Sequence, residues 1–475
     1  MSLSRQIAWN TLVQIIGKIA STGLGLVALG MMTRYLGTEQ FGWYTTVISF
    51  LGFAGIVIDL GLIPVSAQMF GEAKYGQTTL LQNLIAFRLV TAVIFFGLAP
   101  GLAWFMPYPE EVKIAISFTT ISFLAIAVNQ VLTGFYQNEL KMHLPVIGEN
   151  IGRVVLVAGL WLLMREGASF LPLMAVISLS SVAYTAFLWI AAARIRPASL
   201  AYDPVIWKDI LKKSWPIAVS IIFNVIYLKG DILLLSLYRP QAEVGVYGAA
   251  YRVLDILSQT AMMIMGVMLP LLAAAWTQGK KEDFRARYQT SFNVMMLLAV
   301  PALVGIMVLS VPIMRLVAGA EFEYALSGRA LAILALAVFG LYLGAVFGHA
   351  AVAINKQKAT MWIYISDALI TLCGYLIVIP RYGLWGAAWM TVFSEVYAGL
   401  LLAYVVGRHV KHKLRLITLG KIILGSGLMG LCLLAVRDWP VLGAVALGIA
   451  IYTGAIYLLR AVPRETLREV FSRAP

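Results

Sequence analysis

The sequence predicts an all-helical protein that crosses a membrane many times, and three observations carry that expectation. Apolar residues fill 61% of the 475 positions and charged residues only 12%, a balance far outside that of water-soluble domains. Mean hydropathy is +0.87. Apolar runs of the roughly 20 residues that cross hydrocarbon recur from near Ala8 to Leu459, fourteen in all.

Taken in order, the first run, 8–32, carries Lys18 and lacks a small-residue cleavage site, so it reads as a retained helix and not a removable leader. The next five, at 43–68, 79–105, 114–136, 144–164 and 170–193, are separated by short polar turns. Spans 7 to 12 are expected at 214–237, 246–275, 288–312, 327–353, 359–379 and 384–407, and the last two at 416–436 and 440–460. Cys373 and Cys432 both fall in apolar segments, so no disulfide framework is expected.

Loop charge sets the expected orientation. With the N-terminus in the cytoplasm, the basic clusters "RIRP", "WKDILKK", "GKKEDFRAR" and "GRHVKHKLR" all face the same compartment, and no opposite loop holds more than two basic residues. That bias predicts cytoplasmic N- and C-termini. The net charge of +14 therefore reports topology, and no nucleic-acid partner is expected.

An internal repeat is legible as well. "EQFGWYTTV" opens span 2 and "AEVGVYGAAY" opens span 8, aligning Gly42 with Gly245 and Tyr44 with Tyr247 at an offset of 203. Pro64 and Pro270 follow at 206, and the turns "QNELK" and "INKQK" at about 217. Six spans separate the copies, so both have the same orientation, a parallel repeat about an axis normal to the membrane. The expected organisation is a first lobe over 1–194, a cytoplasmic amphipathic linker over 195–213, a second lobe over 214–410, and a C-terminal part, 411–475, with spans 13 and 14 and a cytoplasmic tail. In the linker Val205, Ile206, Ile210 and Leu211 form an apolar face opposed by Lys208, Lys212 and Lys213. That pattern reads as a short helix on the cytoplasmic headgroups, against the alternative of a flexible tether.

Charges inside the spans mark the candidate site. A charge at bilayer centre costs about 2.5–3.5 kcal/mol on insertion scales, so such residues face a protein interior or a wet cavity. Lys229 lies roughly 20 Å along its helix from the cytoplasmic end, too deep to reach that surface. Asp231, two residues on, points about 200° away, so the two need separate partners. Asn10, Gln14 and Lys18 form one polar stripe; Asn224, Tyr227 and Asp231 form another, as do Gln130, Thr133 and Gln137, and Arg252, Asp255 and Gln259. Arg88 is at mid-depth in span 3, and Asp59, Asp367 and Glu395 lie deep in spans 2, 11 and 12. A hydrated, charged cleft between the lobes is the simplest common destination.

Structural neutralisation competes with that reading. Glu149 and Arg153 stand at i, i+4 with the acid first, the favourable order for a helical ion pair, and Arg252 can satisfy Asp255. Lys18, Arg88 and Lys229 have no acid at i±3 or i±4, which favours a cavity role for them. The four buried acids read equally well as counter-charges. His349, near a span end, reads as a polar cap. The chain contains no Walker A motif, no H-E-x-x-H and no cysteine pair with metal spacing, and no loop is large enough for a catalytic or ATP-binding domain. An enzyme is therefore not expected, and neither is a bound cofactor or metal. Energy for any transport would come from an ion gradient or from the cargo's own gradient.

"YLKGDILLLSLYRPQAEVGVYGAAYRVLDIL", Tyr227 to Leu257, resembles the span 7–8 signature of Wzx-type polysaccharide flippases. These belong to the multidrug/oligosaccharidyl-lipid/polysaccharide superfamily. "TRYLGTEQFGWYTTV" and "YGLWGAAWMTVFSEV" resemble the same family around spans 1–2 and 12. Ser236 stands where the family often has Gly. The family motif itself matches Asp231 and the neighbourhood of Gly245, Tyr247 and Arg252.

The resemblance implies transport of an undecaprenyl-pyrophosphate-linked oligosaccharide from the inner to the outer leaflet of a bacterial or archaeal cytoplasmic membrane, by alternating access. It implies a lipid-linked oligosaccharide and membrane lipid as partners, other membrane proteins of polysaccharide assembly as further ones, and a monomer. Cations at mid-depth offer charge-assisted hydrogen bonds to a pyrophosphate; Lys18, Arg88 and Lys229 are the expected ligands, with Arg252 and Arg153 in support. Asp59, Asp231, Asp255, Asp367 and Glu395 are the expected counter-charges or carriers of a coupling proton or sodium ion. The alternatives within transport are a lipid II flippase, which shares fourteen spans and a basic cavity, and a multidrug cation antiporter, which an acidic or aromatic cavity would suit better.

Overall fold

A computed structural model describes the backbone of residues 3–59, 62–72, 74–139, 141–197, 199–320, 322–411 and 414–461. The side chains of 3–12, 15, 56–59, 63–64, 67, 71 and 216–229 lie outside the described part. Among the described residues the fold is all helix: α1 (Leu3–Asp59), α2 (Leu62–Glu72), α3 (Gln77–Trp104), α4 (Glu110–Asn138), α5 (His143–Arg165), α6 (Phe170–Ala193), α7 (Pro204–Tyr238), α8 (Gln241–Thr277), α9 (Lys281–Ala318), α10 (Tyr324–Ala353), α11 (Gln357–Val410), α12 (Ile417–Ala435) and α13 (Val441–Leu458). Eleven of the described helical stretches are long and apolar enough to cross a membrane. Among the described residues, each of the fourteen spans read from the sequence falls mainly on helix. Spans 1 and 2 share α1, with span 2 continuing in α2, and spans 11 and 12 are the two arms of α11.

Both long helices are divided by one residue. Gly37 has φ 65° and ψ −172°, and Gly383 has φ 55° and ψ −134°, a half of the backbone map that favours glycine. Elsewhere helix ends follow ordinary rules. Pro109 precedes α4, whose first turn holds Glu110 and Glu111, and Glu282 and Asp283 open α9 while Arg315 closes it; each charge complements the helix dipole.

The chain divides into two compact units, Met1–Gly245 and Val246–Pro475. In the first, helices approach through small residues, as expected where lipid is as apolar as the core. A Cβ on Gly152 would lie 3.0 Å from the Ser180 carbonyl oxygen, and one on Gly17 would lie 1.9 Å from Val146 Cγ1. Ser122 and Ser181 pair at 2.6 Å across α4 and α6, and Tyr136 donates to the Leu188 carbonyl at 2.6 Å. In the second unit α10 is the central helix: a Cβ on Gly340 would lie 2.5 Å from the Glu395 backbone, and one on Gly399 would lie 2.8 Å from the Gly340 carbonyl oxygen. Outward-facing Phe105, Trp161, Ile190, Ile377 and Ile449 are exposed, which suits a surface solvated by hydrocarbon.

The 195–213 connection is partly built into the first unit. Asp203 caps α7 by accepting from the Val205 and Ile206 amides, and Pro204 follows at the first helical position. Ile206 and Ile210 are buried in one apolar cluster with Leu80, Leu84 and Phe87, so the amphipathic face expected to lie wholly on headgroups is divided between protein and surroundings. Lys74 Nζ meets Asp209 Oδ2 at 2.5 Å, Tyr75 donates to the same oxygen at 2.6 Å, and Lys213 pairs with Glu72. Arg196 reaches Glu139 at 3.1 Å.

These contacts titrate. The Lys213 ammonium and the Gln68 amide hold the Glu72 carboxyl below its ordinary 4.5; Lys74 and Tyr75 hold Asp209 below its ordinary 3.8, while Asp209 raises Lys74. A carboxyl with a lowered folded pKa contributes above its unfolded value and loses that contribution as pH falls through the folded one. Amide-exchange protection of residues 205–213, corrected for intrinsic rate, is therefore expected to fall between neutral pH and about pH 3. Asp209→Asn is expected to give part of that loss at neutral pH, the Lys213–Glu72 contact remaining; unchanged protection in both experiments would show that Ile206 and Ile210 hold the segment alone.

Candidate functional site

In the first unit the sequence-predicted charges occupy separate seams. Lys18 on α1 pairs with Glu149 on α5 at 3.2 Å, and Ser21, one turn along α1, donates to the same carboxylate oxygen at 2.6 Å. Arg153, expected as the helical partner of Glu149, acts on it through charge; its guanidinium reaches along α1, with Nη1 3.7 Å from where a Cβ on Gly25 would stand. Two cations thus share one carboxylate, leaving the α1–α5 seam with a surplus positive charge. The Lys18 side chain is 44% exposed, and an ammonium has three donors, so contact with Glu149 leaves it capacity for another anion. Asn150 fastens the seam by donating to the Gly17 and Val146 carbonyls at 3.2 and 2.8 Å.

Arg88 has a different environment. It is 1% exposed, and its guanidinium donates to the Ala127 carbonyl at 3.3 Å and to the Gln130 amide oxygen, both on α4. The Gln130, Thr133, Gln137 stripe is accordingly split: Gln130 receives Arg88, Thr133 donates to the Asn129 carbonyl at 2.7 Å, and Gln137 is exposed. Asp231 is fully buried, with the Ile232 amide donating to its Oδ1 at 2.7 Å. The side chains of Asp59 and Lys229, and those of Asn10, Asn224 and Tyr227, lie outside the described residues.

In the second unit Arg252 and Asp255 stand 3.6 Å apart on α8 and are both partly exposed, with Gln259 exposed beyond them. Asp367 is fully buried and accepts hydrogen bonds from Thr371 at 3.0 Å and Ser394 at 3.2 Å. Glu395 follows Ser394 and is 8% exposed. Other hydroxyls of this unit pair with one another, Ser366 with Tyr397 at 3.1 Å and Thr391 with Tyr247 at 3.2 Å and Tyr375 at 3.1 Å, and both Asp367 and Glu395 act electrostatically on Tyr364. His349 contacts the Ala345 carbonyl at 2.7 Å. Of these partners, only Thr371 stands at a spacing, i+4, that links it to Asp367 in sequence. Ser21, Ser394 and Tyr397 come from distant segments and carry no such signal.

The described residues thus form a helical membrane fold with charges distributed along its spans. The chain superposes on the lipid II flippase MurJ in an inward closed conformation with a TM-score of 0.77, covering 96% of this chain and all of that one at 17% identity. The family model described as polysaccharide biosynthesis protein matches residues 7–276, and one described as MatE matches 216–376. This chain belongs to the polysaccharide biosynthesis protein family. It is 23% identical over 429 residues to a probable low-salt glycan biosynthesis flippase, Agl15, of Haloferax volcanii, covering 89% of this chain and 88% of that one. It is 21% identical over 422 residues to a putative O-antigen transporter of Shigella flexneri, covering 86% and 98%.

Proposed function

We propose that this protein is a flippase that moves an undecaprenyl-pyrophosphate-linked oligosaccharide across the cytoplasmic membrane by alternating access. The supporting observation is the α1–α5 seam, where Lys18 pairs with Glu149 and the Arg153 charge acts on the same carboxylate, inside two apolar spans. A pyrophosphate entering low-dielectric surroundings needs charge-assisted donors, and a partly exposed ammonium with a spare donor supplies one. Lys229 completes the proposed headgroup ligands of the first unit, and Arg252 is the one proposed in the second. Arg88 joins them in a conformation that parts α3 from α4. Asp59, Asp231, Asp255, Asp367 and Glu395 are the proposed counter-charges, and a proton or sodium ion the proposed coupling ion. The names of the relatives, a glycan biosynthesis flippase and an O-antigen transporter, support the cargo class.

The same reading includes two lobes related by a parallel repeat, cytoplasmic termini and a monomer working beside other polysaccharide-assembly proteins. Support for the repeat comes from inside the first unit. A Cβ on Gly42 would lie 1.8 Å from the Gln241 carbonyl oxygen, and one on Gly245 would lie 2.0 Å from that of Thr38. Each glycine of the repeated Gly-x-Tyr element thus meets the residue four positions before the other, the reciprocity that a two-fold relation requires.

The test is export. Lys18→Gln and Lys229→Gln are each expected to lower surface polysaccharide at least about tenfold, with membrane-inserted protein unchanged; one tenfold step corresponds to one lost interaction of about 1.4 kcal/mol. Lys18→Arg is expected to retain part of the activity, since it keeps the charge. Normal export from both neutral variants overturns the assignment.

A further inference from the structure

The first three turns of α7 have two faces with different tasks. The inward face carries Ile206, Ile210 and Ser214, 2%, 0% and 1% exposed, flanked by Asp209 and Lys213, whose partners are Lys74, Tyr75 and Glu72. Val205, Lys208, Leu211, Lys212 and Trp215 lie on the other side. At 100° per residue these five fall within an arc of about 120°, and all are exposed. Val205 is 64% exposed, Leu211 51% and Trp215 70%. A water-facing helix surface would be polar; here three positions are apolar, two are lysine, and none is acidic. Leu200 and Tyr202, also exposed, extend the apolar surface at its N-terminal end.

The location narrows the occupant. Trp215 stands where the seventh apolar run begins, and tryptophan favours the boundary of the hydrocarbon. Along the axis Lys212 and Lys208 lie about 4.5 and 10 Å beyond it, while the polar layer on each side of the hydrocarbon is roughly 5–8 Å deep. Lysine stems span the remaining distance.

We propose that this face is a binding surface for anionic phospholipid headgroups, with Lys208 and Lys212 on the phosphates and Leu211 and Trp215 at the acyl boundary. The clasp on the opposite face presents the helix already formed, so binding requires no ordering of the segment. The surface is separate from the α1–α5 seam and does not depend on what the protein carries.

Lysine footprinting of the full-length protein tests it. Acetylation rates of Lys208 and Lys212 are measured in vesicles of phosphatidylcholine alone and with phosphatidylglycerol added, with Lys280 and Lys281 as reference sites on another exposed turn. Phosphatidylglycerol is expected to slow both test sites several-fold more than the reference sites, and Leu211→Ser/Trp215→Ser to remove that excess. Native mass spectrometry is expected to show phosphatidylglycerol binding to Lys208→Gln/Lys212→Gln weakened about thirtyfold, about fivefold for each of the two lysines removed from an anionic surface, with phosphatidylcholine unaffected. Equal slowing at test and reference sites in the wild-type protein overturns the proposal without any variant. So does protection by inorganic phosphate in phosphatidylcholine vesicles, which would mark a free-phosphate site.

Discussion

Gly42→Val and Gly245→Val are each expected to prevent accumulation of folded protein, with a cost of at least about 3 kcal/mol where any folds. The reason is geometric. A Cβ on either glycine falls about 2 Å from a carbonyl oxygen, Gln241 O in one case and Thr38 O in the other, and backbone cannot rotate aside as a flexible side chain can. Thr46, one turn beyond Gly42, also bonds the Gln241 side chain at 2.7 Å, so separating the segments loses that contact as well. Gly23→Ala and Gly52→Ala serve as controls: nothing stands within 4 Å of a Cβ there, and alanine in a helix interior is expected to raise stability by about 0.5–1 kcal/mol. The yield of monodisperse detergent-extracted protein and its thermal midpoint decide the matter. Wild-type midpoints for both valine variants would mean that the close approach is not a feature of the folded protein.

Arg88→Met is expected to lower the thermal midpoint together with export. Methionine retains most of the apolar stem but leaves the Ala127 carbonyl and Gln130 amide oxygen without the guanidinium, in a site only 1% exposed at Arg88. Removing one partner from a buried charged hydrogen-bond group costs roughly 3 kcal/mol. Arg88→Lys is expected to restore little, because one ammonium does not reproduce the donor fork that serves two acceptors. Export lost at an unchanged midpoint would instead assign Arg88 to the cargo, and the pair of measurements separates the two roles.

Features set by local spacing were legible in the sequence, and those set by distant segments were not. The helices were legible because a run of about twenty apolar residues identifies a candidate membrane helix, whatever surrounds it; among the described residues eleven helical stretches qualify. The in-helix pair Arg252 and Asp255 was legible for the same reason, being set by local spacing, and it stands at 3.6 Å. Lys18 and Glu149 are 131 residues apart, and no local rule connects them; sequence spacing favoured Arg153 as the partner of Glu149. Arg88 has the composition of a cavity residue and the burial of a core residue, a difference decided by where Gln130 lies on α4. The amphipathic start of α7 was ambiguous because an apolar face looks alike whether it meets protein or lipid. Ile206 and Val205 are adjacent and equally apolar, yet one is 2% and the other 64% exposed.

The single-residue divisions of α1 and α11 have a mechanical consequence. Gly37 and Gly383 give each pair of arms only two soft backbone dihedrals with which to absorb a displacement, where a longer loop would have many. A tilt of one arm is therefore expected to pass to its neighbour at the shared end, as a stroke that is largest at the far tips. A reporter peptide spliced in at either glycine would act as a slack coupling, disengaging the stroke while leaving both arms intact.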